Sequence, residues 1–180
     1  MDNGLIPRRY AKALYKFALE HEATRRVYDE MKQVIASFKA NPGLQKTLAN
    51  PFVCRADKET LLREAAGTQA ENDYLGFVKL ILDNRREEYA YAMAMAYRDI
   101  YRTANNISQV HIATAAKLPE GDMERLKKMV ADSFKSQTLE YTTSVEPDLI
   151  GGFVIDVDDA RLDASLSSEL EQLRITLTQS

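Results

Sequence analysis

A chain of 180 residues can hold one ordinary domain or two small ones, which excludes a large multidomain enzyme. With 24 Lys plus Arg against 27 Asp plus Glu the formal charge is -3, so neither a strongly basic nucleic-acid surface nor an acidic tail is written into the composition. A single cysteine, Cys54, excludes an internal disulfide, and His21 and His111 have no Cys or carboxylate neighbours at metal-ligand spacing. Only 7 Gly and 5 Pro in a chain that is 45% hydrophobic favour helices over a turn-rich all-β protein.

Pro7 suits the first turn of a helix, and Tyr10, Leu14, Phe17, Ala18 and His21 follow at one-face spacing, which predicts a first helix over 7–20. Val27, Met31, Val34, Ile35 and Phe38 mark a second, ending before Asn41-Pro42-Gly43. A short piece over 44–49 stops at Asn50-Pro51. Asp57 and Thr60 open a fourth helix, which carries Leu61, Leu62 and Ala65 to Gly67. Asn72 or Asp73 can cap a fifth containing Tyr74, Phe77, Val78, Ile81 and Leu82. The sixth, over 87–105, carries Tyr89, Met93, Tyr97 and Tyr101 in one stripe, with Ala90, Ala92, Ala94 and Ala96 permitting close approach of a neighbour.

After Asn105-Asn106 the pattern changes. Residues 107–112 alternate as a strand, apolar on much of both faces, so a second domain is expected from 106. Met123, Leu126, Val130 and Phe134 predict a helix over 119–135. Strands at 138–145 and 152–157 follow, and a closing helix over 165–178 sets Leu166, Leu170, Leu173 and Leu177 on one face. The expected fold is therefore mainly α: an N-terminal six-helix bundle over 1–105, then a small α/β domain over 106–180, ordered strand, helix, strand, strand before the last helix. No stretch approaches the roughly 18 apolar residues of a membrane span, and no signal or transit segment is evident, so a soluble bacterial cytoplasmic chain is expected.

Catalytic chemistry finds little support. There is no phosphate loop, and Gly151-Gly152 lacks the third glycine and the helix start of a dinucleotide site. The acids Asp156, Asp158, Asp159 and Asp163 meet Ala160 and Arg161 where a calcium loop needs ligand and glycine, so they read as solvated strand ends. Cys54 has nothing nearby to activate a thiolate. No cofactor and no metal are expected. The pairs Arg8-Arg9, Arg25-Arg26 and Arg85-Arg86 raise an RNA-binding helical module as the competing class, diluted by Glu20, Glu22, Asp29, Glu30, Glu87 and Glu88 beside them.

Three segments carry a resemblance. Arg9-Tyr10-Ala11-Lys12-Ala13-Leu14-Tyr15, the corner Leu80-Ile81-Leu82-Asp83-Asn84-Arg85-Arg86, and Pro147-Asp148-Leu149-Ile150-Gly151-Gly152-Phe153-Val154-Ile155 followed by Leu162-Asp163-Ala164-Ser165 resemble, in order and spacing, the delta subunit of F-type ATP synthase, called OSCP in mitochondria. The resemblance implies a non-catalytic stator subunit. Its helical domain would bind the catalytic head, with the N-terminal helix of an alpha subunit received between the first and fifth helices by Tyr10, Ala13, Leu14, Phe77 and Leu80. Its second domain, with Gly151, Gly152, Asp163 and Ser165 as its structural motif, would grip the b subunits of the peripheral stalk. Nucleic acid would play no part, and the attachment to the cytoplasmic face of the inner membrane would be indirect. Three positions depart from the family pattern: Asp158 and Ala164 stand where glycines are usual, and Ser167 where arginine is frequent.

Overall fold

The computed structural model describes residues 4–67, 72–133, 138–158 and 160–178. It is mainly helical with one small mixed sheet toward the C-terminus, and it divides into two compact units, Met1–Ala104 and Asn105–Ser180.

The first unit is built from α1 (Leu5–Glu20), α2 (Thr24–Ala40), α3 (Gly43–Ala49), α4 (Arg55–Ala66), α5 (Asn72–Asp83) and α6 (Ala90–Ala104). Helix α1 begins two residues before the expected start, which leaves Pro7 in the first turn, where no backbone N–H is needed. Its buried residues Pro7, Ala11, Leu14 and Ala18 form a narrow stripe against α6, whose Ala90 and Ala94 are buried in turn; small side chains on both helices let the backbones approach. Ala92, expected on that seam, is exposed.

Helix α2 lies at the centre and touches α1, α4, α5 and α6 through Val27, Met31, Val34 and Phe38. Buried tyrosines find partners for their hydroxyls: Tyr97 donates to the Thr24 carbonyl at 3.1 Å and Tyr74 to that of Leu62 at 2.7 Å. Burial, reinforced by Glu30, pushes the Tyr74 hydroxyl's pKa well above its ordinary value.

Two further helix starts differ from expectation. Helix α4 begins at Arg55, ahead of Asp57, and its cap residue Cys54 makes no side-chain capping bond. The sixth helix opens as a 3-10 turn, Glu87–Tyr89, because the chain leaves α5 through Arg85 in the left-handed region (φ 52) and must re-enter tightly.

The second unit runs β1 (Ile107–Thr114), α7 (Glu120–Ser133), β2 (Thr138–Val145), a 3-10 turn (Pro147–Leu149), β3 (Gly152–Val157), β4 (Ala160–Ser165) and α8 (Leu166–Thr178). Strand order is β2-β1-β3-β4, with β1 and β2 parallel across α7 and the other pairs antiparallel. Val110, Ile112, Ile155 and Val157 meet Leu126 and Val130 of α7 to form the core. On the opposite face of β1, Gln109 is exposed and His111 half-buried, so the strand is apolar chiefly on one face rather than both.

Strand β4 was not expected: the segment assigned to solvated acids is an edge strand, held by backbone pairing to β3 although most of its side chains are exposed. Phe134, Lys135, Asp159 and the Leu177 side chain lie outside what is described.

Candidate functional site

The five groove residues fall into two layers. Leu14 and Phe77 are buried, whereas Tyr10 is half-buried and Ala13 and Leu80 are exposed, Leu80 at 48%. Tyr10, Ala13, Leu14 and Phe17 share one face of α1, with His21 just past its end, and Asp73, Phe77 and Leu80 share one face of α5, with Asn84 just past its end. His21 Nδ1 stands 3.8 Å from Asp73 Oδ1, so the two stripes converge where α1 ends and α5 begins. Both helices flank α2, with α1 leaning on α6 and α5 on α4.

Sequence reasoning missed Phe17 as a surface residue and missed the His21–Asp73 contact. Phe17 is 44% exposed, its ring edge-on to His21 at 4.2 Å. The signal was present, since Phe17 lies one turn beyond Ala13 and Leu14 on the same stripe, but periodicity does not say where along a face a neighbour stops covering it.

In the second unit the motif residues form a clasp. Gly152 has φ 77, and a Cβ there would overlap the carbonyl of Ala164 across the β3–β4 pair. Gly151 accepts from the Leu166 N–H at 3.0 Å, and a side chain on it would strike the Leu166 side chain. Asp163 Oδ1 accepts from Ser165 Oγ at 2.6 Å and from its N–H at 3.0 Å, while Oδ2 accepts from Ser168 Oγ at 2.7 Å. Ser165 Oγ in turn accepts from the Ser168 N–H at 3.3 Å, which makes Ser165 the cap of α8. The Ser165 hydroxyl, then Ser168 and the Ser165 backbone, hold the Asp163 carboxyl below the usual carboxylate range.

The departures from the family pattern are absorbed. Asp158 takes the left-handed conformation a glycine would occupy (φ 48) and compensates by accepting from the Gln109 N–H at 3.1 Å. Ala164 sits in extended pairing with Phe153, where a methyl group is tolerated. Ser167 lies half-buried in the first turn of α8.

The acidic cluster is dispersed over separate tasks. Asp156 lies 3.7 Å from Arg161 and 3.8 Å from His111, and among the described residues no group of three His, Cys, Asp or Glu is placed to hold a metal ion. Helix α8 presents Leu166, Leu170, Leu173 and Ile175 to solvent. Among the described residues no helix is long and apolar enough to cross a membrane.

Partly uncovered apolar stripes lie on α1, α5 and α8, the kind of helical surface that distinguishes proteins built for contact with other proteins. The family model described as "ATP synthase delta (OSCP) subunit" matches residues 6–177. The ATP synthase subunit delta of Bacteroides thetaiotaomicron is 34% identical over 97% of this chain and 94% of its own length. That of Parabacteroides distasonis is 35% identical over 99% of each. A chain in the cryo-EM structure of the Toxoplasma gondii mitochondrial ATP synthase hexamer shares the fold, with TM-score 0.72 over 96% of this chain and 97% of that one at 18% identity. The chain belongs to the ATP synthase delta (OSCP) subunit family, as a structural rather than a catalytic subunit. These findings give the RNA-binding alternative no support.

Proposed function

We propose that the chain is the stator link of a bacterial ATP synthase, with residues 1–105 as the family's six-helix bundle on the catalytic head and residues 106–180 on the b subunits of the peripheral stalk. The observation that carries this reading is the division into two compact units, each with an apolar helical face open to a partner. Tyr10, Ala13 and Leu80 form the contact surface for an alpha-subunit N-terminal helix, with Leu14 and Phe77 as the buried floor that fixes it. The clasp of Gly151, Gly152, Asp163 and Ser165 sets the start of α8, whose leucines face the stalk.

Charge supports unlike partners. Residues 1–104 carry 17 Lys plus Arg against 14 Asp plus Glu, whereas residues 105–180 carry 7 against 13. The second unit therefore suits a basic stalk helix.

Rotor torque would turn the head unless a linker held it. Two attachments in one chain raise the effective concentration of the second contact once the first is made, so the link resists slipping without any covalent step. Attachment to the cytoplasmic face of the inner membrane follows through the complex. The test is ATP-driven proton pumping by inverted membrane vesicles from a strain lacking this subunit. Added full chain restores pumping if the reading is right, and ATP hydrolysis that stays uncoupled with the chain bound in saturating amount overturns it.

A further inference from the structure

Ile150 joins the 3-10 turn Pro147–Leu149 to β3 with φ 63 and ψ -42. The Gly151 N–H donates to the Leu149 carbonyl at 2.6 Å, so residues 149–151 form a γ-turn of the rare positive-φ kind. A β-branched side chain is strained there, because its two γ-carbons crowd a backbone that glycine would adopt freely. Glycine does stand two residues on, where Gly152 has φ 77.

The strained turn is held from both sides. The Ile150 N–H donates to the Pro147 carbonyl at 3.0 Å, and the Gly151 carbonyl accepts from the Leu166 N–H at 3.0 Å. The isoleucine side chain gains little within its own fold, being 65% exposed. A residue that costs backbone strain without filling the core has its use elsewhere, and such positions concentrate at binding sites.

The neighbours of Ile150 indicate what covers it. Leu166 lies so close to Gly151 that a Cβ there would strike its side chain, and α8 packs on the 3-10 turn. Leu166 is 48% exposed and Leu170, one turn further, 55%, so Ile150 continues the apolar face of α8 onto a second element. Charge around this face is one-sided. Residues 146–178 hold 8 Asp plus Glu against 2 Lys plus Arg, and Asp148 and Glu169 are exposed on the two elements that carry the apolar residues.

We infer that Ile150 is a contact residue for the peripheral stalk: its strained turn presents the side chain, with Leu166 and Leu170, to an amphipathic b-subunit helix whose aliphatic stripe is flanked by lysine or arginine. The inference rests on the reading of α8 as the stalk-facing element and adds a second element to that contact.

The experiment titrates the full chain against the soluble part of the b subunit from the same organism and records the thermal melting of each variant. Ile150→Ala keeps the backbone requirement and shortens the side chain, whereas Ile150→Gly removes both. Each is expected to weaken b binding about tenfold. Ile150→Gly melts no lower than wild type, because relief of the turn offsets the freedom that glycine gains in the unfolded chain. A lower melting temperature in Ile150→Gly would show that the side chain serves the fold, and it overturns the inference. Wild-type affinity in Ile150→Ala overturns the contact while leaving the α8 reading intact. Binding to wild type weakens as salt is added, and a salt-independent affinity overturns the basic flank of the occupant. A wild-type chain that leaves the b subunit unbound overturns the stalk reading and this contact together.

Discussion

Gly152 and Ala164 face each other so closely across the β3–β4 pair that residue 152 has no room for a Cβ before the carbonyl of residue 164. Its φ of 77 adds a second requirement for glycine. Gly152→Val is expected to cost more than the roughly 1–3 kcal/mol of backbone strain alone, enough to unfold a small sheet while residues 1–104 keep their helices. Paired titrations against an alpha-subunit N-terminal peptide and the soluble part of a b subunit check this: head binding persists and stalk binding falls. Equal loss of both would break the assignment of units to partners.

Asp163 supplies a pH dependence whose sign is fixed. Its carboxyl is held below the ordinary value of 3.8, so the stabilisation is present above that value and is lost as pH falls through the lowered native one. Thermal melting at pH 5 and pH 2.5 should show a smaller acid penalty in Asp163→Asn than in wild type. Ser165→Ala, which removes the α8 cap, is expected to cost about 1 kcal/mol at neutral pH.

At Asp158 conformation and hydrogen bonding oppose each other. Asp158→Gly relieves the left-handed backbone and gives up the bond from the Gln109 N–H, so the two effects nearly cancel. Asp158→Ala loses the bond and keeps the strain, and it should destabilise the second unit by about 1–2 kcal/mol in denaturant unfolding.

The two layers of the α1–α5 face separate by mutation. Tyr10→Asp puts a charge on the proposed contact surface and should cost about 2 kcal/mol or more of head binding with little change in stability. Leu14→Ala opens a cavity under the same face and should cost about 2–5 kcal/mol of stability. A Tyr10→Asp chain that binds the alpha-subunit peptide at full strength would remove Tyr10 from the site.

Helices were legible where burial repeats every three or four residues, as along Val27, Met31, Val34 and Phe38. Strand β4 was not, although Ala160, Leu162 and Ala164 do alternate with Arg161, Asp163 and Ser165. Its order comes from backbone bonds to β3 rather than from burial, and sequence pattern reports burial. The clasp was legible as residue types, since a glycine pair and an Asp-x-Ser stood out, but their meeting across a hairpin was not.

Strand β1 lies inside the sheet, and both of its neighbours are synthesised after it. While the chain grows, the backbone of residues 107–114 must therefore wait for β2, some 24 residues later, and for β3 beyond that. At ribosomal speeds of about 5–20 residues per second the delay is on the order of seconds, whereas the first unit has all its partners once α6 emerges to pack on α1 and α2. Biosynthesis thus delivers a finished first unit ahead of the second, and in the order of assembly a nascent chain can offer one partner face before the other exists.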